Sequence, residues 1–114
     1  MEFISKKFVD KDGKMFHTGV GQGDIAPSVL MPGDPDRSKI ISGCFEDARF
    51  VARKRTFATY TGVTPNTHVP ISAVSSGMGP LSVSMVAEEL KHVGLKNLIR
   101  VGTGAALLTD YEPG

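Results

Sequence analysis

Three short apolar runs, each followed by a glycine-bearing turn, restrict the fold of this chain more than any other feature. The runs are Ser28-Val29-Leu30-Met31, residues 69–75 and Asn97-Leu98-Ile99-Arg100-Val101. The turns are Pro32-Gly33, Gly77-Met78-Gly79-Pro80 and Gly102-Thr103-Gly104. A short continuous apolar run bounded by turn residues reads as a buried strand. A strand, a glycine turn and then a helix is the punctuation of an α/β protein.

The intervening segments fit that order. Asp34 is placed to cap a helix with Pro35 at its first position, Ile40 and Ile41 facing the core and Gly43 ending it. Residues 48–53 alternate, with Ala48, Phe50 and Ala52 opposite Arg49, Val51 and Arg53, which predicts a strand with one wet face. Residues 56–62 and 69–75 are two more strands joined by the turn residues Thr64-Pro65-Asn66-Thr67. Leu81, Met85, Val86, Leu90 and Val93 recur at helical spacing, and Gly94 stops that helix. Residues 97–101 close the order as a short buried strand. The spacing predicts an α/β fold with a mixed, partly parallel sheet flanked by helices. Upstream, residues 3–16 read as two apolar-rich pieces around Asp10-Lys11-Asp12-Gly13, a hairpin turn. A calcium loop would need a third acidic position and a glutamate further on, and neither is there.

Composition excludes several classes. The 114 residues are one domain's worth, and 13 Lys+Arg against 12 Asp+Glu give no long-range pull toward nucleic acid. No apolar run approaches the ~20 residues that span a bilayer, and no basic and apolar leader opens the chain. The single cysteine, Cys44, cannot form an internal disulfide, so the expected compartment is the reducing cytoplasm and Cys44 reads most simply as a small core residue. His17, His68 and His92 show no ligand spacing, so no metal is expected. A dinucleotide site is also disfavoured. The sixth positions of the two candidate fingerprints are Ser82 and Leu107, and Arg100 stands where an acidic residue would hold a ribose.

In open α/β sheets ligands sit beyond the carboxyl ends of the strands, so the three turns are placed to converge on one pocket. Backbone N–H groups in such turns attract anions. Gly33 with Arg37 on the following helix, Arg100 at the end of an apolar strand and the Thr103 hydroxyl together suit a phosphate. Simpler roles exist for each. Arg37 is also an ordinary solvated helix residue, and Arg100 is equally explained by a buried carboxylate partner. Met78 is covered either by a ligand or by a neighbouring helix, and Arg53-Lys54-Arg55 reads as an exposed basic face.

Val29-Leu30-Met31-Pro32-Gly33-Asp34-Pro35-Asp36-Arg37 resembles the opening strand and phosphate loop of the nucleoside phosphorylases, of the uridine phosphorylase and hexameric purine nucleoside phosphorylase type. Ser76-Gly77-Met78-Gly79 with Ser82 and Ser84 resembles that family's second loop. Glu88-Glu89-Leu90 and Ile99-Arg100-Val101-Gly102-Thr103-Gly104 resemble its next helix and strand. The resemblance runs from about His17 to the last residue. It implies that Gly33, Arg37 and Arg100 bind phosphate, that Thr103 binds phosphate and ribose, and that Met78 lies near the ribose. It implies also that Arg55 and His17 are lent to a neighbouring subunit of a homodimer or hexamer of dimers, Arg55 to its phosphate and His17 to its ribose.

The implied reaction is phosphorolysis of a nucleoside to a free base and ribose 1-phosphate. Inorganic phosphate is the co-substrate, and no cofactor, nucleic acid or membrane is involved. Thr103 leans toward uridine, with purine nucleosides as the alternative. Thr56 stands where some bacterial uridine phosphorylases carry an acidic residue that binds a metal ion, so the resemblance brings no metal here. The segment that grips ribose with a Glu-Met-Glu motif and the base-recognition residues have no counterpart in the sequence. The chain therefore resembles the N-terminal part of a single phosphorylase domain whose C-terminal half is absent. Its expected share is the phosphate and ribose half of the site, inactive alone. A non-catalytic short homologue that binds phosphate or a partner is the other reading.

Overall fold

The computed structural model describes residues 9–112. The elements follow in the order β1 (Ser28–Met31), α1 (Pro35–Ser42), β2 (Glu46–Lys54), β3 (Phe57–Val63), β4 (Pro70–Val74), α2 (Pro80–His92) and β5 (Asn97–Arg100). They build one five-stranded sheet in the order β2-β3-β4-β1-β5. β2, β3 and β4 form an antiparallel meander, whereas β1 runs parallel to both β4 and β5. The expected mixed, partly parallel α/β architecture is what forms.

The core gathers Val29 and Met31 of β1, Phe57, Val74, and Val86 and Leu90 of α2, with Met15, Val20, Ile25 and Val93 around them. Val29 and Met31 alternate with half-buried Ser28 and Leu30, the period of a strand that buries one face. α1 starts as the sequence predicts, with the Asp34 carboxylate accepting the Asp36 N–H at 2.8 Å and Pro35 in the first turn.

Several apolar residues lie elsewhere than the sequence predicts. α1 packs on β3 and β4 through Ser38 and Ser42, one turn apart. Residue 40 then faces away, and Ile40 is 71% exposed rather than in the core. Cys44 is exposed too, because the chain leaves α1 through a surface turn in which its N–H bonds to Ile41 O at 3.0 Å. Leu81, in the first turn of α2, is 86% exposed. β5 is exposed along its whole length, since it is a sheet edge paired only with β1.

The alternation in β2 fails for a local reason. Its register against β3 shifts between Glu46 and Arg49 and again between Phe50 and Ala52. Each extra residue turns the following side chains to the other face. Val51 and Ala52 both pack against the core, while Phe50 is exposed and meets Tyr60 edge-on at 5.5 Å. Gly62 lets the first irregularity close up, since a Cβ there would lie 2.8 Å from Glu46 O.

The turn around Asp10-Lys11-Asp12-Gly13 forms. Asp10 Oδ1 accepts the N–H groups of Asp12 and Lys14, and Val9 bridges Met15 in antiparallel fashion. Residues 3–8 of the expected hairpin lie outside the described residues. Asp24 ties this turn to the sheet. Its carboxylate accepts from Lys14 Nζ and from the Gly21 N–H, and its carbonyl accepts from Thr61 Oγ1. Burial pushes the Asp24 carboxyl upward. The Lys14 hydrogen bond, the Gly21 amide and the charges of Lys14 and Arg49 outweigh that and hold it below its ordinary value of 3.8.

A carboxyl lowered by folding contributes stability above its unfolded value and loses it as pH falls through the folded one. Asp24→Asn should therefore cost about 1 kcal/mol at neutral pH, and the difference should shrink in acid, at pH about 2. Urea denaturation of both proteins at the two pH values measures this. A deficit that persists undiminished in acid would contradict it.

Candidate functional site

Because β1, β4 and β5 are adjacent and parallel, the turns that follow them emerge on one edge of the sheet. The main chain holds these turns together beyond the strand ends. The Ser76 N–H donates to Pro32 O and the Gly77 N–H to Gly33 O, both at 2.9 Å, and the Val101 N–H donates to Met31 O at 3.0 Å. Between them opens a cleft of about 570 Å³. Gly33, Arg37, Met78, Arg100 and Thr103 all line it, together with Asp34, Thr56, Gly77, Gly79 and Gly102. The five residues come from three separate stretches of sequence and meet in one cleft.

Arg100 is held by backbone, not by a carboxylate. Its Nη1 donates to Met31 O and to Val101 O, each at 2.9 Å. The ion pairs among the described residues are Lys14–Asp24, His17–Glu89 and His68–Glu46, so no carboxylate among them partners Arg100. The guanidinium lies close over two glycines. A Cβ on Gly33 would be 3.4 Å from Nη2, and one on Gly102 would be 3.3 Å from Nη1. Both glycines thus leave the room in which the guanidinium sits.

Gly77 is constrained twice. Its φ of +71° belongs to the left-handed region, and a Cβ would stand 2.7 Å from Thr56 Oγ1. Of the acidic residues near the cleft, Asp34 has Oδ1 engaged in capping α1. Arg37 in the first turn of α1 is half-buried, and Met78 is 94% exposed at the rim. Cationic side chains, glycine amides and a threonine hydroxyl around one opening suit a small multivalent anion.

His17 and Arg55 are not in this cleft. They line a second one, of about 260 Å³, with Phe16 and Lys54. Lys54 Nζ donates to Phe16 O at 3.0 Å and stands 5.7 Å from the Phe16 ring centre. Arg55 occupies the β2–β3 turn at a φ of +52°, and its neighbour Thr56 lines the first cleft, so a single turn separates the two openings. Phe16 had no signal of its own in the sequence, Lys54 read only as part of an exposed basic face, and Thr56 only as a departure from a metal-binding acidic residue. Glu89 stood out only within the helix segment that resembles the family's, with no sign that its carboxylate contacts His17 from 72 positions away. Among the described residues no three His, Cys, Asp or Glu side chains gather in a way that would hold a metal ion, and no helix is long and apolar enough to cross a membrane.

Residues 27–114 match the family model described as the phosphorylase superfamily. The uridine phosphorylase of Thermococcus kodakarensis is 38% identical over 104 residues, which are 91% of this chain and 37% of that protein. A DeoD-type purine nucleoside phosphorylase of Shewanella loihica is 45% identical over 98 residues, covering 84% of this chain and 41% of its own length. The crystal structure of uridine phosphorylase from Vibrio fischeri superposes with a TM-score of 0.78 at 30% identity, covering 82% of this chain and 38% of that one. Purine nucleoside phosphorylase from Toxoplasma gondii, solved with immucillin-H, superposes with a TM-score of 0.76 at 30% identity, over 80% of this chain and 36% of that one. The chain thus spans well under half the length of the relatives it matches. With its parallel strands, its three apposed glycine turns and this match over most of its length, the chain belongs to the phosphorylase superfamily.

Proposed function

We propose that this chain carries the phosphate and ribose half of a nucleoside phosphorylase site, with uridine as the preferred nucleoside and purine nucleosides as the alternative. One observation carries the reading. Gly33, Arg37, Arg100 and Thr103 line a single cleft, and the Arg100 guanidinium there is held by carbonyls and forms no ion pair among the described residues. Phosphate is the co-substrate that such a cleft suits.

In this reading Arg37, Arg100 and the Gly33 amide orient phosphate, and Thr103 spans phosphate and ribose. Phosphate oxygen bonds to the anomeric carbon as the bond from that carbon to the base nitrogen breaks. The chain's share of the work is to hold the nucleophile in line and to place its negative charge beside a carbon that becomes oxocarbenium-like. None of these residues needs to donate or accept a proton. The base side falls to residues outside this chain. His17 and Arg55 serve the cleft of a second copy in a homo-oligomer, which is supported by their grouping in a separate opening. The near-balanced charge and lone cysteine favour a cytoplasmic protein.

Titration of the ¹⁵N-labelled chain with inorganic phosphate tests the first half of this. The amides of Gly33, Gly77, Gly102 and Thr103 should shift together with a Kd of about 1 mM, and shifts confined to other residues would refute the reading. Uridine or inosine with phosphate should give no free base with the chain alone. Turnover there would overturn the assignment of essential groups to residues outside it. Binding without any turnover in a longer form would favour the non-catalytic phosphate-binding reading.

A further inference from the structure

Glu89 is a buried carboxylate that the proposed reaction does not use. It lies on the third turn of α2, 5% exposed, and all its contacts point at one short segment. Oε1 accepts the Thr18 N–H at 2.7 Å. Oε2 accepts the His17 N–H at 2.8 Å and meets His17 Nδ1 at 3.0 Å. The segment needs this partner for a local reason. Residues 15–20 close on themselves, Met15 N–H to Val20 O at 2.8 Å and Gly19 N–H to Met15 O at 2.9 Å. That leaves the two amides at the tip without strand partners, and a buried amide must find an acceptor.

The consequence reaches the ring. A carboxylate only accepts hydrogen bonds, so the hydrogen between Oε2 and the ring belongs to Nδ1. In neutral imidazole one nitrogen carries the hydrogen and the other is an acceptor. Nε2 is then bare, in a ring that lines the second cleft beside Lys54 and Arg55. We infer that Glu89 is a positioning residue that fixes both the place and the tautomer of His17, so that neutral His17 meets its ligand as an acceptor of a hydroxyl hydrogen and not as a donor to an anion. Lys54 and Arg55 carry only donors, so the three side chains divide the work. The two cations suit an anion, and His17 suits an alcohol such as a sugar hydroxyl. Assigning that hydroxyl to ribose rests on the function proposed above.

The tautomer is directly readable in the chain itself. Long-range ¹H–¹⁵N correlation spectra at pH about 8 should show His17 with its hydrogen on Nδ1, in about tenfold excess over the Nε2–H form. His92, which has no such contact among the described residues, serves as the internal reference. Glu89→Met keeps length and apolar volume but removes the acceptor, and should collapse that excess. A dominant Nε2–H form of His17 in the unmutated chain would overturn the inference, whether or not the Glu89→Met variant folds. So would an unchanged excess in a folded Glu89→Met variant, because a merely structural carboxylate would not set the ring's hydrogen. The measurement needs neither phosphate nor nucleoside, so its failure is separate from failure of the phosphate titration.

Discussion

Arg100→Ala should weaken phosphate binding by about tenfold to a hundredfold while leaving the fold in place. A hydrogen bond to a charged group contributes about 1.5–3 kcal/mol, and each 1.4 kcal/mol is about tenfold in affinity. The fold should survive because β5 is an exposed edge strand and the Arg100 side chain bonds, among the described residues, to the carbonyls of Met31 and Val101. Neither carbonyl is left without a partner, since water reaches this edge and Met31 O also accepts the Val101 N–H. Arg100→Lys should recover only part of the loss, because an ammonium keeps the charge without the guanidinium fork. Phosphate titrations followed at the Gly33 and Gly77 amides, with circular dichroism as the check on folding, give the comparison. Unchanged phosphate affinity in a folded Arg100→Ala chain would remove the central cation from the proposed site.

Gly77→Ala should destabilise the chain by about 2–4 kcal/mol, which for a domain of this size lowers Tm by roughly 10 °C or more. Two costs add. The backbone at φ +71° disfavours any side chain, and the new methyl would stand 2.7 Å from Thr56 Oγ1. They can be separated. Thr56→Ala removes the oxygen that the methyl meets, so the double variant should regain about 1 kcal/mol or more relative to additivity and keep the conformational share of the loss. Thermal melts of the four proteins complete the cycle. A Gly77→Ala chain within about 0.5 kcal/mol of the parent would show that the turn after β4 is free to move, contrary to its bond with Gly33.

The parts of the fold governed by neighbouring residues were legible in the sequence. Asp34-Pro35 starts a helix, Pro32-Gly33 ends a strand, and both signals act within a few residues of themselves. The convergence of Gly33, Arg37, Met78, Arg100 and Thr103 was legible too, since parallel strands put their following turns on one edge. What escaped depends on the other side of a contact. Ile40 looks like a core residue until α1 is seen to rest on Ser38 and Ser42. Phe50 looks inward until the bulges of β2 shift the period. The buried strand predicted at 97–101 is instead an edge strand, because pairing partners are set by sheet order and not by the strand's own residues. Glu89 is the extreme case. A glutamate on a helix gives no sign that it closes a loop 72 positions upstream.

The turns that form the first cleft are joined by amide and carbonyl groups: Ser76 to Pro32, Gly77 to Gly33 and Val101 to Met31. Every residue except proline brings both groups, whatever its side chain. The scaffold of the cleft is therefore insulated from most side-chain substitution at its rim. Met78, almost wholly in solvent, is free to be exchanged without disturbing the hydrogen bonds beneath it. On the function proposed above, selectivity is tuned at such a position while the proposed anion seat stays where it is. A substitution series at Met78 should change which organic ligand is preferred and leave phosphate affinity within about twofold, since it alters no partner of Gly33, Arg37 or Arg100.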